Sequence, residues 1–123
     1  MEFDDLSNRI IGLAIEVHRQ LGPGLLENTY QQCLAYELSQ AGINFQMEVS
    51  LPIKYKEINI SCGYRIDLLI EDKILLELNS VKALLSIHEA QILTYMKLSN
   101  ISTGLLMNFN ELLLKDGIKR FVL

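Results

Sequence analysis

The sequence predicts a single α+β domain, with a mixed sheet flanked by helices and elements in the order α-α-β-β-β-α-β-β. Residues 1–40 carry apolar side chains at helical spacing, whereas residues 43–80 alternate apolar and polar side chains as strands do. A third helical stretch and two short apolar runs then follow. At 123 residues, the chain is expected to form one domain with a buried core.

The first two helices are bounded by capping and helix-breaking residues. Asp4 or Asp5 can cap the first helix, and Gly22-Pro23-Gly24 ends it. A second helix is predicted from about Leu25 to Gln40, with Gly42 as its C-cap. The apolar stripe of the first helix comprises Leu6, Ile10, Leu13, Ala14 and Val17.

Three strands are predicted in the middle of the chain. The first is a half-buried strand that starts at Ile43 and continues through Tyr55, and Glu57-Ile58-Asn59 is typical of a turn. Cys62 to Ile70 and Ile74 to Ser80 are two further strands. The polar residues between them predict a tight turn and therefore a hairpin.

The last part of the chain predicts one helix and two strands. Ser86-Ile87-His88-Glu89 matches the capping-box pattern and should begin a helix that reaches about Leu98. Thr103 to Phe109 is a short apolar run that predicts a buried strand, and Ile118 to Leu123 predicts a final strand.

Composition narrows the class of protein. No apolar run approaches the roughly 18 residues of a membrane span, and the acidic start Met1–Asp5 differs from a basic signal peptide. We therefore expect a cytoplasmic protein without a membrane partner. Cys33 and Cys62 lack the spacing of a metal site or disulfide framework. The net charge of −4 argues mildly against a protein that coats nucleic acid.

Two acids in the predicted hairpin form a candidate metal site. Asp67 lies in Gly63-Tyr64-Arg65-Ile66-Asp67, and Glu77 follows ten residues later. A turn centred on Asp72 places the two acids almost opposite each other, where two carboxylates repel unless a cation lies between them. Mg²⁺ suits such oxygen ligands. The alternative is a pair of solvated acids on an exposed sheet edge.

Two helices contribute further polar residues. Gln91 and Tyr95 are four residues apart and share a face of the third helix, with His88 one turn earlier. Glu27 and Tyr30 share a face of the second helix. The alternatives are that His88, Gln91 and Tyr95 form the solvent-facing side of their helix, and that the helix dipole alone favours Glu27.

These segments together resemble a known family. Gly24-Leu25-Leu26-Glu27-Asn28-Thr29-Tyr30 resembles the signature of the GxxExxY family of small prokaryotic proteins, which is assigned to the PD-(D/E)XK nuclease superfamily. The resemblance covers nearly the whole chain, and the Gln91…Tyr95 pair is similar to the QxxxY element of the RecB-like exonuclease branch. It implies a restriction-endonuclease-like PD-(D/E)XK core over residues 1–123.

The resemblance implies a role for each site residue. Asp67 and Glu77 would be ligands of Mg²⁺ or Mn²⁺, and Glu27 would be a further acid that binds the ion through water or orients that water. Gln91 and Tyr95 would brace the site or contact the nucleic-acid backbone. The lysine that is typical of the superfamily maps to Asn79, which can donate a hydrogen bond but carries no charge.

Asn79 leaves two hypotheses open. Losing one preorganised donor costs about 10²–10³ in rate, and Lys73, Lys82 and Lys97 do not occupy suitable substitute positions. The first hypothesis is a Mg²⁺-dependent nuclease that acts on DNA or RNA. The second is a catalytically impaired nuclease-like domain that binds nucleic acid or a protein.

Two further expectations concern partners. The acidic net charge keeps open a scaffold without a nucleic-acid role, in which the basic residues are ordinary surface charge. Exposed strand edges near Ile43 or Val122 favour a homodimer that closes them.

Overall fold

The computed structural model describes residues 4–123, which form three helices, seven strands and one 3₁₀ turn. The helices are α1 (Asp5–Leu21), α2 (Glu27–Gln40) and α3 (Ser86–Ser99). The strands are β1 (Phe45–Ser50), β2 (Ile53–Tyr55), β3 (Ile58–Ile60), β4 (Arg65–Ile70), β5 (Ile74–Asn79), β6 (Thr103–Asn108) and β7 (Ile118–Val122), and the 3₁₀ turn is Leu114–Gly117. No helix among these residues combines the length and apolar character needed to cross a bilayer.

Five strands form one mixed sheet in the order β1-β4-β5-β6-β7. The β5–β6 pair is parallel and is connected by α3, whereas the other neighbouring pairs are antiparallel. This confirms the predicted α+β class with a mixed sheet and flanking helices. β5 is the central strand, so the hairpin that carries Asp67 and Glu77 lies in the middle of the sheet.

The region after β1 differs from the prediction. The first strand ends at Ser50 rather than continuing to Tyr55, and β2 pairs with β3 in a separate hairpin. The predicted turn Glu57-Ile58-Asn59 is wrong, because Ile58 and Asn59 belong to β3. The turn lies at Lys56 and Glu57, where Lys56 adopts a left-handed backbone with φ of 53°.

The sheet separates two hydrophobic cores. The helix-pair core lies beneath α1 and α2, and the α3 core lies beneath α3. The helix-pair core includes Ile10, Ala14, Tyr30, Leu34, Leu68, Ile70, Leu76, Leu78 and Leu105. The α3 core comprises Leu51, Ile66, Leu69, Leu75, Ile92, Tyr95, Met96 and Leu106.

The helix caps agree with the sequence at α1 and differ at α3. The Asp4 carboxylate accepts a hydrogen bond of 2.8 Å from the Ser7 N–H and caps α1. The predicted capping box of Ser86 and Glu89 is wrong. The N-cap is Leu85, whose N–H donates to His88 Nδ1 over 2.8 Å. Glu89 instead forms an ion pair with Lys119.

Candidate active site

Asp67 and Glu77 interrupt the hydrogen-bonded ladder between β4 and β5. The two strands pair from Ile70↔Ile74 to Leu68↔Leu76, and the next position in this register sets Asp67 opposite Glu77. There, Glu77 Oε2 accepts from the Asp67 N–H over 3.2 Å, and Asp67 Oδ2 accepts from the Leu78 N–H over 2.8 Å. The two carboxylates therefore accept hydrogen bonds that backbone carbonyls accept in a regular ladder. Each acid is fixed by an N–H of the opposite strand.

Glu77 is a buried acid, not a solvated one. Only 8% of its surface is exposed, and Asp67 is half-buried. Burial raises the pKa of Glu77 far above its ordinary value, and the hydrogen bond and charge of Asp67 raise it further, against the opposing effect of the Asp67 N–H. The charge of Glu48 adds to the rise. The alternative of two solvated edge acids therefore fails for Glu77.

Glu48 is a further site acid that the sequence interpretation missed. It lies on β1 between the paired positions Met47↔Leu68 and Val49↔Ile66, and therefore beside Asp67. Its backbone is left-handed, with φ of 54°, a conformation that is costly for a residue with a side chain and that clusters at functional sites. Glu48, Asp67 and Glu77 thus form a carboxylate row across β1, β4 and β5.

Gln31 of α2 fixes the first two members of this row. Its side chain is 5% exposed, and its Nε2 donates to Glu48 Oε1 over 3.2 Å and to the Asp67 carbonyl over 3.0 Å. A buried amide with two such acceptors is largely satisfied, which explains why a polar residue is tolerated in the buried face of α2.

The strands change faces at the carboxylate row. On one side of the row, Leu68 packs in the helix-pair core; on the other side, Ile66 and its neighbour Val49 pack with the α3 core. Regular alternation would place Ile66 and Leu68 on the same face. The left-handed backbone of Glu48 accompanies this reversal. The acids therefore lie where the chain passes from one core to the other.

A cavity of about 220 Å³ opens beside the carboxylate row on the α2 side. The exposed side chain of Glu27 reaches this cavity from the first turn of α2, and its Oε1 accepts from the Ser80 N–H over 3.3 Å. The predicted helix acid thus lines the same cavity as Asp67 and Glu48, whereas Glu77 does not line it. The cavity is lined by Glu27, Asn28, Gln31, Glu48, Asp67 and Leu78.

The donor atoms of the site fit a hard divalent cation. The ion pairs found among residues 4–123 join Arg19 to Glu16, Lys119 to Glu89 and Arg120 to Asp4, so none neutralises the carboxylate row. Within the same residues, no three His, Cys, Asp or Glu side chains form a ready-made metal cluster. This arrangement suits Mg²⁺, which is commonly held by one or two carboxylates and keeps several waters.

Asn79, to which the resemblance maps the lysine, lies at the end of β5. It is half-buried and pairs with Asn108 of β6, and its carbonyl accepts from the Phe109 N–H over 2.8 Å. In the described part of the chain, its side-chain amide makes no hydrogen bond. No lysine lines the cavity, so the structure provides no substitute there for the missing charge.

Gln91 and Tyr95 interact directly on the opposite side of the sheet, as their spacing predicts. Gln91 Nε2 donates to Tyr95 Oη over 3.0 Å, and Tyr95 is 7% exposed within the α3 core. Burial raises the pKa of Tyr95, the Gln91 hydrogen bond opposes the rise, and the charges of Glu77 and Asp67 add to it. His88 instead takes part in the cap of α3, where its Nδ1 accepts a hydrogen bond from the Leu85 N–H.

The comparison with protein families covers almost the whole chain. The family model described as the PD-(D/E)XK nuclease superfamily matches residues 4–121, a span that contains every acid of the site. No curated protein and no solved structure is significantly similar to the chain.

Proposed function

The chain belongs to the PD-(D/E)XK nuclease superfamily, and from this premise we propose that it hydrolyses phosphodiester bonds in DNA or RNA with Mg²⁺ or Mn²⁺ held by Asp67 and Glu77. The observation that carries this proposal is the interlocked, largely buried acid pair in the centre of the sheet. An acid pair without a cationic partner is costly to bury unless a cation or a proton neutralises it.

The finer family assignment is also a proposal. The Gly24–Tyr30 segment favours the GxxExxY family, because Glu27 reaches the cavity and the Tyr30 hydroxyl donates to the Gly22 carbonyl over 2.7 Å. The hydrogen bond between Gln91 and Tyr95 supports the RecB-like branch, since the two residues act as one unit.

Each site residue has a distinct role in this proposal. When bound, the ion neutralises the acids, polarises a phosphoryl oxygen and makes a water more acidic. Glu27 is exposed in the cavity, where its carboxylate can orient a water or accept its proton. Glu48 adds negative charge beside Asp67, and the Asn79 amide offers a neutral donor to the phosphate. Gln91 and Tyr95 support the site from the α3 side of the sheet.

Loss of Asp67 should abolish metal-dependent cleavage. We expect the wild-type protein to cleave DNA or RNA in Mg²⁺ or Mn²⁺ and Asp67→Asn to reduce the rate at least about 10²-fold, because the exchange removes an anionic ligand. The measurement is cleavage of labelled single- and double-stranded DNA and RNA. Asp72→Asn, in the exposed turn of the same hairpin, is the matched control and should cleave normally. Cleavage that survives equally in Asp67→Asn would contradict the proposal.

Stabilisation by Mn²⁺ should increase with pH. In the metal-free protein, Glu77 has a raised pKa, so its contribution to stability is complete below the ordinary carboxyl range and is lost as pH rises towards the raised pKa. Metal binding displaces that proton, so the rise in Tm on adding Mn²⁺ should be larger at pH 8 than at pH 5.5. A free concentration of about 100 Kd should stabilise the fold by about 2.7 kcal/mol.

Differential scanning fluorimetry at both pH values measures this shift, with Ca²⁺ and Zn²⁺ as comparison ions. A shift of equal size at the two pH values, or no shift with Mn²⁺ at pH 8, would exclude Glu77 as the group that releases the proton.

Asn79 favours a second candidate function, a nuclease-like domain that binds nucleic acid or a protein without cleaving it. The absence of a lysine from the cavity lining supports this candidate. It predicts Mn²⁺ binding without cleavage, whereas the nuclease proposal requires both. A homodimer remains a further proposal, supported by the edge positions of β1 and β7 in the sheet.

A further inference from the structure

A second concave surface lies on the α3 side of the sheet. This groove has a volume of about 500 Å³ and runs between α3 and the segment that leads into β4. Its walls include Tyr64, Ile87, Gln91, Tyr95 and Leu98, and its lining contains no Asp, Glu, His, Lys or Arg. The volume lies in the range of small-ligand sites, and the lining suits a neutral, apolar or aromatic group.

Two tyrosines form the aromatic wall of this groove. The rings of Tyr64 and Tyr95 meet edge to face, with centroids 6.2 Å apart and planes at 66°. Tyr95 is 7% exposed and is fixed by the α3 core and by Gln91, whereas Tyr64 is 48% exposed. The buried Tyr95 ring therefore supports the exposed Tyr64 ring, which is available for stacking.

The groove lies on the same face of the sheet as the Glu77 side chain, because Glu77 shares its strand parity with Leu75, which packs with Tyr95 in the α3 core. Tyr64 lies three residues before Asp67, a separation of about 10 Å along an extended chain. Gln91 and Tyr95 line the groove, and Tyr95 packs in the same core as Ile66, the residue next to Asp67. A strand whose phosphate lies at the carboxylates therefore has its neighbouring base within reach of the Tyr64 ring.

The chemistry of the lining favours a nucleobase over a phosphate or a charged peptide. A base is planar and uncharged, and it stacks on an aromatic side chain without a strict sequence requirement. The Gln91 side chain is exposed at the rim and can hydrogen-bond to a base edge. Ile87, which is 67% exposed, and Leu98 lie on the same helix as Gln91 and Tyr95 and add apolar surface to the groove.

We propose that this groove binds one unpaired nucleobase of the strand whose phosphate lies at Asp67 and Glu77, so that the protein selects single-stranded over double-stranded nucleic acid. The proposal rests on the proposed function for the position of the phosphate. A paired base is covered on both faces and along its hydrogen-bonding edge, so it cannot enter without being unstacked and unpaired.

The test measures binding without metal, so that it is independent of catalysis. Fluorescence anisotropy in EDTA and low salt compares a labelled single-stranded oligonucleotide with the duplex of the same sequence, in DNA and RNA forms. We expect the single strand to bind more tightly than the duplex. Tyr64→Ala should weaken its binding about 5- to 150-fold, and Tyr64→Phe should remain within about twofold of wild type.

Tyr36→Ala is the matched control, since Tyr36 is a 63% exposed tyrosine on α2, away from the groove. Its affinity should equal that of wild type, and thermal melting of every variant checks that the fold is retained. Equal affinity in Tyr64→Ala and wild type, duplex binding as tight as single-strand binding, or no binding of either would each overturn the proposal. Failure of cleavage in Mg²⁺ with these binding differences intact would instead count against the proposed nuclease activity alone.

Discussion

Asn79→Lys should raise the rate of Mg²⁺-dependent phosphodiester cleavage by about 10²–10³-fold, the value of one preorganised stabilising donor in an active site. Asn79 follows Glu77 on the central strand with the same side-chain parity, and it is half-buried near the acids. Its amide is not engaged by the described part of the protein, so the exchange breaks no hydrogen bond there. An ammonium group here would place a positive charge two residues from Glu77, on the same face of β5.

Two controls separate charge from size in this experiment. Asn79→Met adds a chain of similar length without a charge and should leave the rate near that of wild type. Asp67→Asn combined with Asn79→Lys should be inactive, which would exclude a contaminating nuclease. If the wild-type protein cleaves rapidly and Asn79→Lys lowers the rate, the neutral amide would instead be the group that supports catalysis at this site.

Glu77→Gln should stabilise the metal-free protein at pH 8 and abolish its response to Mn²⁺. The wild-type carboxyl is buried against Asp67, so at pH 8 the fold must either retain a proton on the pair or hold two adjacent charges. Glutamine has the same shape, can accept from the Asp67 N–H and can donate to the Asp67 carboxylate. We expect a gain on the order of 2–4 kcal/mol in EDTA.

Urea unfolding at pH 8 in EDTA measures the first effect, and calorimetric titration with Mn²⁺ measures the second. Glu57→Gln, in the exposed turn between β2 and β3, is the matched exchange and should change neither. The gain from Glu77→Gln should shrink at pH 5, where less free energy is required to protonate the pair. A Glu77→Gln protein that is less stable than wild type in EDTA at pH 8 would show that the carboxyl is held favourably without a cation.

Local signals in the sequence predicted most of the fold. Helical spacing located α1, α2 and α3, and the polar residues 71–73 placed the turn that sets Asp67 opposite Glu77. Helical periodicity and turn residues are properties of short stretches of sequence, so the elements that depend on them can be predicted without knowledge of distant contacts. The cap of α3 was wrong because the His88 ring, one turn into the helix, competes successfully with a Ser86–Glu89 pair.

The features that the sequence did not predict depend on contacts between distant residues or on backbone conformation. β3 is only three residues long and gives no strand period, so its first residues were mistaken for a turn. In the sequence, Glu48 has the pattern of an ordinary polar residue in an alternating strand. Its role depends on pairing with β4 and on a left-handed backbone, which residue identity alone does not encode.

The exchange of hydrogen bonds between Asp67 and Glu77 has a consequence for how this chain can change over time. Each carboxylate closes a gap in the sheet, so a substitution that removes the side-chain oxygen at either position damages β4–β5 pairing whether or not the protein cleaves anything. Descendants that lose catalysis would therefore still be selected to keep a side-chain oxygen acceptor, an acid or its amide, at both positions. Among residues 4–123 the Asn79 side chain makes no hydrogen bond, so its exchange removes no hydrogen bond from the sheet. In this architecture, a loss of activity is expected to leave the position of the lysine open to any residue, whereas the positions of the acids stay restricted to side chains that can accept a hydrogen bond.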